Sequence, residues 1–173
     1  TVLIPSNEVI LATISEVKSA QITANKEDDL NKPLIAKVPK AGKVKKTTKN
    51  ASLGTTEWIL SNGVTVVFKP TEFKKDEILM SAFSEGGISK VKNTDDLVSA
   101  TLAASVVTNN GLGEFSQVEL NKLLTGKIAS VTPQIGPYSE GFRGRSSVAD
   151  FETMMQLLHL YFTAPRKDND AFA

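Results

Sequence analysis

The dipeptide Asn62-Gly63, set between two alternating apolar runs, constrains this chain more than any other feature. Both residues tolerate positive φ, so the pair marks a tight hairpin turn. Before it, Trp58 and Leu60 alternate with Ile59. After it, Val64, Val66 and Phe68 alternate with Thr65 and Val67. Pro70 lacks an N–H and stops the ladder. A third strand is expected from Asp76 to Ser84, with Ile78, Met80 and Ala82 on one side and Leu79 and Phe83 on the other. Apolar residues on both sides point to a strand in a sheet covered, at least in part, on both faces. Glu85-Gly86-Gly87 is a tight exit that needs positive φ.

A helix follows. Thr94 is placed to cap it, with Asp95 and Asp96 in the first turn. Its body, L-V-S-A-T-L-A-A-S-V-V-T, is apolar or small nearly all round, which predicts a buried helix. Thr101 and Ser105 are placed to bond back to carbonyls of the preceding turn. Asn109-Asn110-Gly111 ends the helix, with Gly111 free to take a left-handed cap. Ser116-Gln117-Val118-Glu119 reads as a capping box opening a short helix. Ile128 to Gln134 and Tyr138 to Ser147 then read as a strand pair, in which Gly141 and Gly144 suggest bends or close backbone approach. Arg143 and Arg145 share one strand face. They could meet a peptide carboxylate, although a solvated face is the plainer reading. Ser147 or Asp150 caps a last helix whose stripe is Phe151, Met154, Met155, Leu158, Tyr161 and Phe162. His159 falls just off that stripe.

Residues 1–36 look like a separate element. A helix starting near Pro5 to Asn7 places Ile10, Ile14 and Val17 on one face, which is expected to pack on its own domain unless the helix is a connector whose neighbour lies elsewhere. The stretch Lys37 to Asn50 holds six Lys and no aromatic or Arg. It therefore reads as a solvated linker, extended where Val38 and Val44 touch the domain, and not as a nucleic-acid arm.

At 173 residues the chain is long enough for one domain with a real core. Its net charge of +1 gives no global attraction to nucleic acid or an anionic surface. It has no Cys, which excludes a disulfide framework and thiolate metal sites. No apolar run is long enough to span a membrane. Thr1 at the start and D-N-D-A-F-A at the end, the latter like the opening of another helix, suggest an excised piece of a longer protein.

The runs L-S-N-G-V-T-V-V-F-K-P-T, E-I-L-M-S-A-F-S-E-G-G, G-F-R-G-R-S-S and L-Y-F-T-A-P-R, in that order, resemble the M16 (pitrilysin/insulinase-type) zinc peptidases, more narrowly the large two-half members of Bacteroides-type bacteria. The similarity covers most of residues 42–170. Catalytic halves of that family carry H-x-x-E-H on the helix after the third strand. Two His one turn apart hold zinc there, and the Glu activates a water. Matching Ser89 to the serine near the Gly-Ser turn of active members puts Thr101-Leu102-Ala103-Ala104-Ser105 in that place. Thr101 and Ser105 stand for the two His, and Ala104 for the Glu. The single His of the chain, His159, cannot make such a site under any shift of register.

The resemblance therefore implies a non-catalytic half, with zinc held in an upstream half of the parent and none by this chain. The fold implied is α/β of the α+β type: a mostly antiparallel sheet with helices packed on one face, an M16 metallopeptidase-like (LuxS/MPP-like) half-domain. Residues 1–50 would be a connector helix and Lys-rich linker from a preceding domain, and 51–173 a domain truncated at its C-terminus. The implied partners are the upstream half and an unfolded or extended peptide, with no nucleic acid and no membrane span. The implied location is the periplasm or cell envelope. The segment Ile128, Ala129, Ser130, Val131 and Thr132 matches the edge strand along which substrate lies in active members, and on that likeness would line the same chamber from the opposite wall, although an ordinary antiparallel strand is the plainer reading. The rival reading is a peptidase-inactive structural or peptide-binding module.

Overall fold

The structure is a computed structural model, and it describes residues 5–20 and 32–168. The first helix, α1 (Asn7–Ser19), begins where Ser6 accepts from the Val9 N–H. Its face of Ile10, Ile14 and Val17 buries nothing among the described residues.

Three strands then form a meander: β1 (Val44–Asn50), β2 (Thr55–Leu60) and β3 (Thr65–Phe68), all antiparallel. The linker expected through Asn50 is thus partly a strand. Its Lys and Thr side chains suit a solvated edge, where charge also discourages pairing with foreign strands. Leu34 and Ile35, expected in a separate element, pack against the main core. The β2–β3 turn also differs in detail from expectation. The Leu60 N–H donates to the Val64 carbonyl, leaving Ser61, Asn62 and Gly63 as a three-residue loop. Only Gly63 takes positive φ, at 89°. This is a turn followed by a glycine bulge, the next commonest way to close a hairpin.

The second sheet has the order β4-β6-β5, from β4 (Ile78–Glu85), β5 (Ala129–Ile135) and β6 (Ser139–Ser146). Both pairings are antiparallel. Three helices flank it in sequence: α2 (Leu97–Asn110), α3 (Gln117–Leu123) and α4 (Phe151–Thr163). The core is Leu112, Phe115, Leu120, Val131, Met154, Leu157 and Leu160. Ile78, Met80, Ala129 and Phe142 join it from the inner sheet face. The expected antiparallel sheet with helices on one face is therefore present, here as two three-stranded sheets.

Glycines allow the close packing of β4 and β6. A Cβ at Gly141 would overlap the Ala82 carbonyl, and one at Gly144 would press on Met80 and Met154. At the end of β4, Gly86 and Gly87 take φ of 153° and 60°, as the tight exit requires. The Gly87 N–H donates to the Glu140 carboxylate.

Several local expectations are corrected. Asn93, not Thr94, caps the turn before α2, through Asp95 N–H. α2 is not buried: Val98 and Leu102 face solvent, and only Asn110 is enclosed. Gly111 takes positive φ, but its ψ of −171° is not that of a left-handed helical cap. On α4 the buried stripe is Thr153, Met154, Leu157 and Leu160, whereas Met155 and Phe162 lie outside it. Of the C-terminal run expected to open a helix, only Asp168 is among the described residues.

Candidate functional site

Two elements carry the positions singled out by sequence, and they pack together: α2 and β5. On α2, Thr101 donates its hydroxyl to the Leu97 carbonyl at 2.8 Å, the back-bond expected of it. Ser105 is exposed and makes no such bond among the described residues. Ala104 offers only its backbone carbonyl, which accepts from Thr108. Hydroxyls and a methyl do not fit zinc, which takes thiolate, imidazole or carboxylate donors. Among the described residues no three His, Asp or Glu come together anywhere.

β5 is an edge strand: among the described residues it pairs only with β6. The ladder is anchored at both ends, by Ser147 N–H to the Ile128 carbonyl and by Gly136 N–H to the Ser139 carbonyl. Hydrogen-bonded pairs alternate along an antiparallel ladder. Ser130 and Thr132 therefore bond to β6, while Ala129, Val131 and Pro133 turn their backbone groups to the open edge. Pro133 has no N–H to leave unpaired, so its place on an edge costs no ladder bond. Side chains follow the opposite rule of two. Ala129 and Val131 face the core, and Ser130, Thr132 and Gln134 face out.

Asp150 fixes where this edge begins. Its carboxylate accepts from the Ile128 N–H and from the Ser147 hydroxyl, each at 2.8 Å. These bonds, the one from Ile128 foremost, hold its carboxyl below the usual aspartate range. The start of β5 is thereby tied to the start of α4.

The outward face of the second sheet has a definite register. Arg145 lies between Leu79 and Ser130, and Arg143 between Ser81 and Thr132. Arg145 pairs with Glu77 at 2.8 Å, and Glu77 also meets Lys74 at 3.0 Å. Lys74 first, with Arg145 adding to it, holds Glu77 below the usual carboxylate range. Arg143 is exposed and has no ion pair among the described residues. Flanking both arginines, Leu79 and Phe83 are 72% and 82% exposed. His159 is on α4 and is half-buried. No helix among the described residues is long and apolar enough to cross a membrane.

The sequence placed Ile128 to Thr132 on a strand and Arg143 and Arg145 on one face; the strand begins one residue later, at Ala129, and the two arginines do share a face. It missed the tie from Asp150 to Ile128. Ser147 and Asp150 were legible as alternative caps of the last helix, but nothing local signals a second partner 22 residues away.

No protein-family model matches the chain. It is 25% identical over 137 residues to a zinc protease PQQL-like protein of Arabidopsis thaliana, covering 79% of this chain and 12% of that one. It is 29% identical over 105 residues to a probable zinc protease PqqL of Haemophilus influenzae, covering 60% of this chain and 11% of that one. Among solved structures it is similar to the periplasmic protease PqqL from Escherichia coli, with TM-score 0.75, 18% identity, and coverage of 97% of this chain and 18% of that chain. It is also similar to the ferredoxin protease FusC solved with Arabidopsis ferredoxin, with TM-score 0.72, 20% identity, and coverage of 98% and 19%. The chain thus spans less than a fifth of each of these relatives.

Proposed function

We propose that the chain is part of a non-catalytic half of an M16-type zinc protease, one that encloses substrate for a zinc site elsewhere in its parent; its likeness to zinc proteases in sequence and fold supports this reading. The observation that carries this reading is the pairing of two features. The helix that would bear the family's zinc motif offers Thr101, Ala104 and Ser105, while the strand packed against it, β5, keeps an open edge. This chain's own residues would then bind and orient polypeptide rather than break it. Ala129 and Val131 would each offer an N–H and a carbonyl to an extended peptide. Zinc, when bound in the upstream half, would supply the activated water. Holding the peptide in one line lowers the entropy cost of reaching the reactive geometry.

On this reading α1 and the Lys-rich run before β1 form the connector from a preceding domain, and α1's uncovered apolar face belongs against that neighbour. A periplasmic or cell-envelope location is likewise proposed, by likeness to the Escherichia coli protease.

The test is hydrolysis of an unstructured fluorogenic peptide with zinc present. The chain alone, the upstream half of the parent alone, and the two mixed are compared. Activity that rises sharply only on mixing is the expected result. Cleavage by this chain alone would overturn the reading of Thr101 to Ser105. No activity in any mixture would favour a peptidase-inactive structural module.

A further inference from the structure

The face beside the open edge of β5 carries a charge that its surroundings leave unused. Arg145 is already engaged by Glu77. Arg143, two residues earlier on the same strand face, is exposed and has no ion pair among the described residues. Its cross-strand neighbours are Ser81 on one side and Thr132 on the other, both short. Neither carries an opposing charge.

A peptide added to β5 would lie two strand spacings from β6, or about 10 Å. Every second side chain of that peptide would stand on the outward face, in the row of Ser130, Thr132 or Gln134. Thr132 is the only residue between Arg143 and such a side chain. A guanidinium on its long stem reaches over a threonine. It meets best a planar carboxylate, which it can bind through two parallel N–H donors.

We propose that Arg143 is a specificity-determining residue that favours an acidic side chain, Asp or Glu, on the polypeptide lying along β5. The inference rests on the reading that β5 accepts a peptide at its edge, and it names the substrate class for that edge. The preferred ligand is an extended segment with a carboxylate beside Thr132 and uncharged residues on either side. Lys at the same position is disfavoured, because it faces Arg143 and, one row on, Arg145.

The experiment measures fluorescence anisotropy of short labelled Thr/Val-rich peptides against the full 173-residue chain. Three peptides differ only at one central residue: Glu, Gln or Lys. The Glu peptide is expected to bind up to about fivefold tighter than the Gln peptide, the scale of a solvent-exposed ion pair. The preference should shrink as salt is raised. In R143E, with unchanged Trp58 fluorescence and circular dichroism, the order should reverse in favour of the Lys peptide. Ala129→Pro, which removes an outward N–H from the edge, should weaken all three peptides alike. Equal binding of the three peptides, still abolished by Ala129→Pro, overturns the role of Arg143 and leaves the β5 reading standing. A Glu preference that survives R143E overturns it as well. No saturable binding of any peptide at millimolar concentration overturns both readings.

Discussion

The carboxylate of Asp150 accepts the backbone N–H of Ile128 at 2.8 Å, and so joins the first residue before β5 to the first turn of α4. The same carboxylate takes the Ser147 hydroxyl, while Asp150 N–H returns a bond to Ser147 Oγ at 3.0 Å. One ionised side chain thus organises a strand start and a helix start together.

Because that carboxyl is held below its ordinary range, it binds a proton more readily in the unfolded chain. Its contribution is full above the unfolded value and is lost as pH falls through the folded one. Glu77 and Glu119, held down by Lys74 and by Ser116 respectively, act with the same sign. The chain should therefore lose stability on acidification through the carboxylate range. Urea midpoints against pH check this, and Asp150→Asn should flatten the acid limb. An unchanged limb would contradict the role given to Asp150.

Core substitutions should separate the two sides of α4. Met154 is 0% exposed, so Met154→Ala should cost about 2–5 kcal/mol. Phe162→Ser should cost less, because Phe162 is 70% exposed, although its ring contact with Phe142, at 4.9 Å between ring centres, is lost. Equilibrium denaturation compares them, and equal losses would contradict the packing described.

Gly141→Ala should be among the most damaging single changes. Its Cβ would meet the Ala82 carbonyl, a backbone atom that cannot swing aside, so β4 and β6 must part. A loss of about 3 kcal/mol or more is expected. Gly126→Ala, where no heavy atom lies within 4 Å, is the control. It should cost less, although Gly126 too has positive φ and carries some backbone strain.

Local signals were the legible ones. The Ser116–Glu119 capping box closes within one turn, and it is present as read, with Ser116 N–H to Glu119 at 2.7 Å. The hairpin itself was legible from alternation around Asn62-Gly63, but its register, with Trp58 opposite Val66, depends on the three-residue loop that the dipeptide did not signal. What depended on a distant partner was not legible. An apolar pattern on nearly every side of α4 does not say which side meets a sheet, so Met155 and Phe162 were placed inside and Leu157 and Leu160 were missed. The small-residue pattern of α2 suggested burial, yet its outer side has no partner among the described residues. The site divides in the same way. The strand from Ala129 to Thr132 could be read from its pattern and flanking turns, whereas the motif position at Thr101, Ala104 and Ser105 rests on the family resemblance alone. That Arg143 stands across from Thr132 required the register of β5 on β6.

The residues at the motif position also predict the metal behaviour of the isolated chain. Hydroxyls and a methyl on α2 leave no strong donor set. Elemental analysis after extensive washing should find zinc well below one per chain. A stoichiometric, tightly held zinc would contradict the assignment of this helix as non-catalytic.

The measurement closest to the central claim is peptide hydrolysis by the intact parent carrying Ala129→Pro, assayed with its zinc content. Pro at this position removes an N–H from the open edge of β5 without taking a bond from the β5–β6 ladder. In this variant kcat/KM should fall mainly through a rise in KM, with zinc content unchanged. Hydrolysis at the unaltered rate and KM would contradict a substrate-holding role for this edge.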